Sequence, residues 1–192
     1  MDRQECLSHN VMPVIETERL RHRRLRIEDL SDLMSIVGDS EVMTYLGIEG
    51  GTTLSEEEAE EALTKMIAFW NQRGFGRWAV LDNTSSRMVG LCGLRLLEDT
   101  PELFYAFAKN YWGQGLATES ARACLRYGFE ELGFARIVAA SRHANTASLR
   151  VMEKIGMRYE KDINYLGVDA VCYVATRETF EADDSRYLVT RD

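Results

Sequence analysis

Tyr111-Trp112-Gly113-Gln114-Gly115-Leu116-Ala117-Thr118-Glu119 is the stretch on which the reading of this chain turns. It follows an apolar run, Leu103–Ala108 (LFYAFA), and opens a segment, Thr118–Gly133 (TESARACLRYGFEELG), that reads as a helix. The first N–H groups of a helix have no intrahelical partners, and the helix dipole adds about half a positive charge at that end. Glycines just ahead of it remove the Cβ atoms that would keep an anion from the backbone. A strand, two glycines and a helix start therefore suggest an anion site. Taken alone, the stretch is better read as a tight strand-to-helix turn without a ligand.

The rest of the chain bounds the choice. At 192 residues, with 45% hydrophobic and 28% charged side chains, it has the size and composition of one globular domain. The net charge of −8 argues against nucleic acid as a partner. The basic run Arg19–Arg26 (RLRHRRLR) alternates with apolar residues and reads as a solvated strand edge. No apolar run reaches the roughly 18 residues of a membrane span, and the opening residues lack a signal-peptide pattern. Four cysteines (Cys6, Cys92, Cys124, Cys172) and three histidines show no metal-ligand spacing. The expectation is a cytoplasmic protein with reduced thiols, no metal, no nucleic acid and no membrane, as a monomer or homodimer.

Periodicity gives the order of elements. Leu30, Leu33, Met34 and Val37 share one helix face, with Gly38 as a stop. The clearest helix runs from Ser55, which pairs with Glu58 as a capping box, to Gly74, with Ala59, Ala62, Leu63, Met66, Ile67 and Trp70 as its apolar stripe. Strands are expected at Leu20–Leu25, Arg77–Leu81, Met88–Leu97, Glu102–Ala108, Arg136–Ser141, Arg158–Asn164 and Ala170–Arg177, the second and third joined as a hairpin through Asp82–Arg87. Asn145 caps a further helix that ends at Gly156. The helix after the glycines carries the chain from strand Glu102–Ala108 to strand Arg136–Ser141, so these two should be parallel. The fold class is α/β (α+β), a mixed and mostly antiparallel sheet flanked by helices. Residues 1–13 and 182–192 are expected to be tails around a single domain, 14–181.

Three anions compete for the glycine stretch. A Walker-type nucleotide loop needs a lysine after its second glycine, and none follows Gly115. A GxGxxG dinucleotide loop has Thr118 where the third glycine belongs. The pyrophosphate of coenzyme A needs converging amides but neither Mg²⁺ nor lysine. YWGQGLATESA, followed by NTASLRVMEKIGMRYE (Asn145–Glu160), resembles the GCN5-related N-acetyltransferase (GNAT) superfamily, in particular the branch of RimJ/RimL-like ribosomal-protein N-terminal acetyltransferases. The similarity runs over roughly Val14 to Phe180, and includes ETERLRHRRLRIEDL and GFGRWAV. It implies a GNAT-like sheet with a splayed strand pair at an acetyl-CoA site. Gly115 and Ala117 fill the last two places of the superfamily's R/Q-x-x-G-x-G/A loop, and Trp112 departs from its first.

The resemblance implies direct transfer of an acetyl group from acetyl-CoA to an amine. Backbone amides of Gly113, Gln114, Gly115, Leu116, Ala117 and Thr118 would bind the pyrophosphate, while the Trp112 side chain is expected to pack. The thioester oxygen would take a backbone N–H near Phe107 and Ala108. Ser148 occupies the position from which this branch protonates the departing thiolate, and Asn145 would order the pantetheine arm or a water. Local capping explains both residues equally well. Glu102 is the first candidate for the base, set against a solvated strand-end carboxylate, and His143 the second. Tyr105 lines the acceptor pocket or fills the core. Trp78 and Phe75 are expected chiefly in the core, and Cys172 as packing.

Two functions follow: an N-acetyltransferase acting on a small amine or a peptide α-amino group, or an idle acyl-CoA-binding sensor or interaction module. The acidic balance of the chain mildly favours a cationic acceptor. Acceptor recognition is expected from Asp39–Thr53 and Asn164–Val168.

Overall fold

The computed structural model describes residues 13–46, 52–165 and 167–191. The strands are β1 (Pro13–Glu16), β2 (Leu20–Arg24), β3 (Arg77–Asp82), β4 (Met88–Leu97), β5 (Thr100–Phe107), β6 (Arg136–Arg142), β7 (Arg158–Tyr165), β8 (Val168–Thr176) and β9 (Leu188–Arg191). The helices are α1 (Leu30–Val37), α2 (Ser40–Met43), α3 (Glu56–Arg73), α4 (Leu116–Glu130) and α5 (Thr146–Lys154). One nine-stranded sheet takes the order β7-β8-β6-β5-β4-β3-β2-β1-β9. Its neighbours are antiparallel except β5 and β6, the pair joined through α4.

That parallel pair is barely a pair. β5 and β6 meet in register only at Glu102 and Val138. β6 is paired with β8 from Arg136 to Arg142, and β5 with β4 from Thr100 to Phe107. Beyond Glu102 the two strands part, and the sheet opens between them.

Local chemistry explains the helix boundaries. The Ser55 side chain accepts from the Glu58 amide (3.2 Å), and the Glu58 carboxylate accepts from the Ser55 amide (2.8 Å), closing the expected box. Asn145 caps α5 by accepting from the Ser148 amide at 3.1 Å. Side chains alternate between the two faces of β5. Leu103 and Phe107 join the core beneath α4 and α5, while Ala106 and Ala108 join the core beneath α1 and α3.

The sheet is wider than the periodicity suggested. Within the segment 182–192, expected as a tail, β9 returns to the sheet and pairs with β1 through Ile15↔Val189 and its neighbours. Both strands have four residues, too few for alternation to register, and they are stabilised by backbone pairing that only the folded chain supplies. Of the expected N-terminal tail, Pro13 begins β1, and residues 1–12, with Cys6, lie outside the described residues. The basic run is no solvated edge: β2 lies between β1 and β3, and Leu20 and His22 are wholly buried. Burial of His22 is possible because Nε2 meets Ser120 Oγ (2.6 Å) and Nδ1 meets the Ile15 carbonyl (3.2 Å).

Candidate active site

The glycine stretch lies at the mouth of the opening in the sheet. Gly113 (φ 75°) and Gly115 (φ 79°) both adopt the left-handed backbone conformation. A Cβ at Gly113 would meet nothing within 4 Å, so the glycine serves the backbone turn and leaves open space above it. Gly115 caps α4 with no side-chain hydrogen bond, and the first helical bond runs from the Glu119 amide to the Gly115 carbonyl (3.1 Å). The amides of Leu116, Ala117 and Thr118 precede that bond and are available to a ligand.

A network from the β1–β2 turn fixes this loop. The Glu119 carboxylate accepts from Thr17 Oγ1 (2.7 Å), the Arg19 amide (2.9 Å) and Arg19 Nε (2.7 Å). Arg19 Nη1 donates to the Gln114 carbonyl (2.8 Å), and Gln114 Nε2 donates to the Asn110 carbonyl (2.9 Å). Burial alone would push the Glu119 carboxyl up, but the hydrogen bonds from Thr17 and Arg19 outweigh it and hold the group below its ordinary value. The Gln114 side chain and carbonyl thus brace the loop. Trp112 does not pack into the core. Its ring is 45% exposed, and its indole N–H donates to the Phe107 carbonyl (2.7 Å), which ties the loop to the end of β5.

Only one of the two expected backbone donors faces the opening. The Ala108 amide donates to the Val89 carbonyl across to β4 (3.0 Å). In an antiparallel ladder successive residues alternate in direction, so the amide of Phe107 points away from β4, toward the gap. Ala108 is therefore a sheet residue, and its N–H is already used. On the same side, Ser148 Oγ lies 2.8 Å from the Tyr105 hydroxyl, which also donates to the Ser148 carbonyl (3.1 Å). Burial pushes the Tyr105 phenol well above its ordinary value, so it remains a proton donor at neutral pH. Asn145, whose Oδ1 caps α5, also lines the cleft.

Toward the α1–α3 face the cleft ends in an ion pair. Glu102 is 2% exposed and stands directly across from Arg95 in the β4–β5 register. Arg95 Nε and Nη2 donate to its two oxygens (2.6 and 3.2 Å), and Nη2 also donates to the Tyr165 hydroxyl (2.8 Å). This corrects the picture of a solvated carboxylate. It also weighs against Glu102 as a base, because taking a proton would break a buried pair in which both oxygens already accept. His143 does not line the cleft: it is 57% exposed and lies 3.3 Å from Asp162 on the surface. Trp78 is wholly buried among Trp70, Tyr127 and His22, and Phe75 packs against Phe69 and Phe134. Cys172 is a buried core thiol. Val42, Tyr45 and Leu46, from the first of the expected acceptor segments, line the cleft; residues 47–51 and 166 of those segments lie outside the described residues.

The cleft has a volume of about 510 Å³. Its charged lining among the described residues is Arg95, Arg142, Arg150 and Lys154 against the carboxylate of Glu102. A chain of net charge −8 thus folds a cationic cleft, suited to the phosphates of coenzyme A.

A sheet parted between two parallel strands, with a glycine-led helix N-terminus on one side and a half-buried hydroxyl pair facing the gap, defines a coenzyme A-dependent acyltransferase. Residues 19–158 match the Acetyltransferase (GNAT) domain family. The uncharacterized protein YkkB of Bacillus subtilis is 35% identical over 165 residues, which cover 80% of this chain and 90% of that protein. A GNAT-family acetyltransferase crystal structure from Bacillus anthracis superposes with a TM-score of 0.75 at 31% identity, covering 86% of this chain and 99% of that one. The fold is shared with the coenzyme A complex of RimL, a ribosomal L7/L12 α-N-protein acetyltransferase (TM-score 0.73, 20% identity, covering 85% and 97%). This chain belongs to the GNAT family and is an acetyl-CoA-dependent N-acetyltransferase.

Proposed function

We propose that the chain acetylates a primary amine, either on a small molecule or at a peptide N-terminus, and that Ser148 supplies the proton to the departing thiolate. The observation that carries this reading is the 2.8 Å contact between Ser148 Oγ and the Tyr105 hydroxyl on the wall of the cleft. A bare serine is a weak acid. Tyr105 holds Ser148 Oγ on the cleft wall, and the proton that the serine gives to the thiolate is replaced by the one the attacking amine sheds, so no alkoxide has to persist. Acetyl-CoA supplies the activated acyl group when bound. The amides of Gly113 and Gly115–Thr118, with Arg150 and Lys154, hold its phosphates. The Phe107 amide donates to the thioester oxygen as charge develops there. Glu102 fixes the Arg95 guanidinium at the acceptor end rather than accepting the proton of the amine.

The test is thiol release from acetyl-CoA across a panel of small amines and N-terminal peptides, with Ser148→Ala and Tyr105→Phe in parallel. Ser148→Ala should lower kcat by about 10²–10³-fold, as expected for loss of a positioned proton donor, with the Kd for acetyl-CoA little changed. Tyr105→Phe should have a smaller effect in the same direction. Equal turnover in the wild type and Ser148→Ala would remove the serine from the mechanism.

A further inference from the structure

The acceptor end of the cleft carries more positive charge than its ion pair consumes. Arg77 on β3 stands opposite Gly93, and Gly93 stands opposite Phe104. A Cβ at Gly93 would fall 2.3 Å from the Gly76 carbonyl oxygen and 2.6 Å from Arg77 Cα, so no side chain fits there. That gap lets the Arg77 side chain cross β4 and bring its guanidinium 4.9 Å from the centre of the Phe104 ring. The Arg95 guanidinium lies 4.7 Å from the centre of the same ring. Two guanidinium groups thus share one aromatic ring, and among the described residues the carboxylate beside them is Glu102, already bound to Arg95 through both oxygens. Arg77 forms no ion pair among the described residues.

The charge of Arg77 is held at some expense. Burial first, and then repulsion from Arg95, lower its guanidinium from 12.5 to about 10 against the attraction of Glu102 and Tyr165. It stays cationic at neutral pH, so the cluster of Arg77, Arg95 and Glu102 has a net charge of about +1. Arg95 itself lines the cleft beside Phe104, Tyr165, Val42 and Leu46. Its Nη1 has no partner among the described residues, whereas Nε and Nη2 are both engaged. A planar guanidinium with one free nitrogen, set in a partly apolar wall and backed by a surplus charge, is suited to a carboxylate. It repels an acceptor that brings additional ammonium groups.

We propose that the acceptor amine carries a carboxylate, bound by Arg95 at the Phe104 wall with Arg77 supplying the uncompensated charge. The substrates are then amino-acid-like amines rather than polyamines or amino sugars. This rests on the acetyltransferase reading and narrows its acceptor, against the bias that the acidic composition of the whole chain suggests. Arg77 acts through the field at Arg95 and is a positioning residue, not a group that touches the substrate.

The experiment combines binding with turnover. CoA-loaded protein is titrated by calorimetry with N-acetylphenylalanine and with its carboxamide, which differ in the carboxylate alone. The corresponding free amines, phenylalanine and phenylalaninamide, are then compared with putrescine as acceptors of acetyl-CoA. The carboxylate should bind about tenfold tighter than the amide, the scale of one charge interaction of about 1.4 kcal/mol. Arg77→Met should abolish that preference, Arg77→Lys should retain it, and CoA affinity should be the same in both variants. Equal binding of the two ligands, no binding of either, or a preference for putrescine would overturn the proposal, while turnover of any amine would leave the acetyltransferase reading standing. Selective carboxylate binding without turnover of any amine would support the carboxylate subsite and count against the proposed transfer to an amine.

Discussion

His22 provides a test of the packing beneath the cofactor loop, through the dependence of stability on pH. The imidazole is wholly buried between β2 and α4, edge-on to the Trp78 ring at 6.5 Å. Burial lowers it from 6.5 to about 4, against the opposing influence of the Ile15 carbonyl and the Glu119 carboxylate. Its neutral tautomer donates from Nδ1 to Ile15 and accepts from Ser120 at Nε2. In the unfolded chain the ring takes up a proton below 6.5, whereas in the folded protein it resists protonation down to about 4. Between those values the unfolded state binds more protons, so stability must fall as pH falls. The contribution of this group to stability is complete above 6.5 and decreases by up to about 1.4 kcal/mol per pH unit toward 4. Evaluated at two pH values, the loss is about 2 kcal/mol on going from about pH 7 to about pH 5. Urea unfolding of the wild type and His22→Gln at both pH values reads this directly. Glutamine cannot titrate, so the variant should be less stable at the higher pH, and the gap should narrow by about 2 kcal/mol at the lower one. Parallel pH profiles for the two proteins would refute the buried neutral imidazole and the hydrogen-bonding scheme built on it.

Three further substitutions test the scaffold of the site. Glu119→Gln removes the charge that Arg19 and Thr17 hold; because Arg19 is half exposed, stability should fall by only about 1 kcal/mol, while acetyl-CoA affinity drops severalfold as the loop loosens. That stability difference should be present above the ordinary glutamate range and disappear as pH falls through the depressed value of Glu119; a difference independent of pH would contradict the pairing. Gly115→Val forces a β-branched residue into the left-handed region at about 1–2 kcal/mol, and acetyl-CoA affinity, measured by calorimetry, should suffer before the fold does. Glu102→Ala leaves the largely buried Arg95 without a counter-charge and should destabilise by about 3 kcal/mol in chemical denaturation, with partial recovery in Glu102→Ala/Arg95→Met.

Much of this architecture was legible in the sequence, since local rules act locally. The Ser55–Glu58 box, the Asn145 cap, the glycine loop and the crossover through α4 each depend on residues close in the chain, and each appears where those residues predicted it. Trp112 and the basic run misled for the opposite reason. The indole hydrogen bond to Phe107 and the burial of His22 against Ser120 follow from contacts that no local pattern encodes.

The sequence by itself determined the class of most elements, the likeness to an acetyltransferase family and the glycine loop that opens α4, because periodicity, capping and glycine placement are properties of neighbouring residues. Only the tertiary structure decided that Glu102 is consumed by Arg95, that Tyr105 backs Ser148, that Arg19 and Glu119 brace the loop, and that an acidic chain folds a cationic cleft. Those pairings depend on strand register and on which face of the sheet a side chain takes, and burial then sets their electrostatic strength by removing the water that would otherwise screen them.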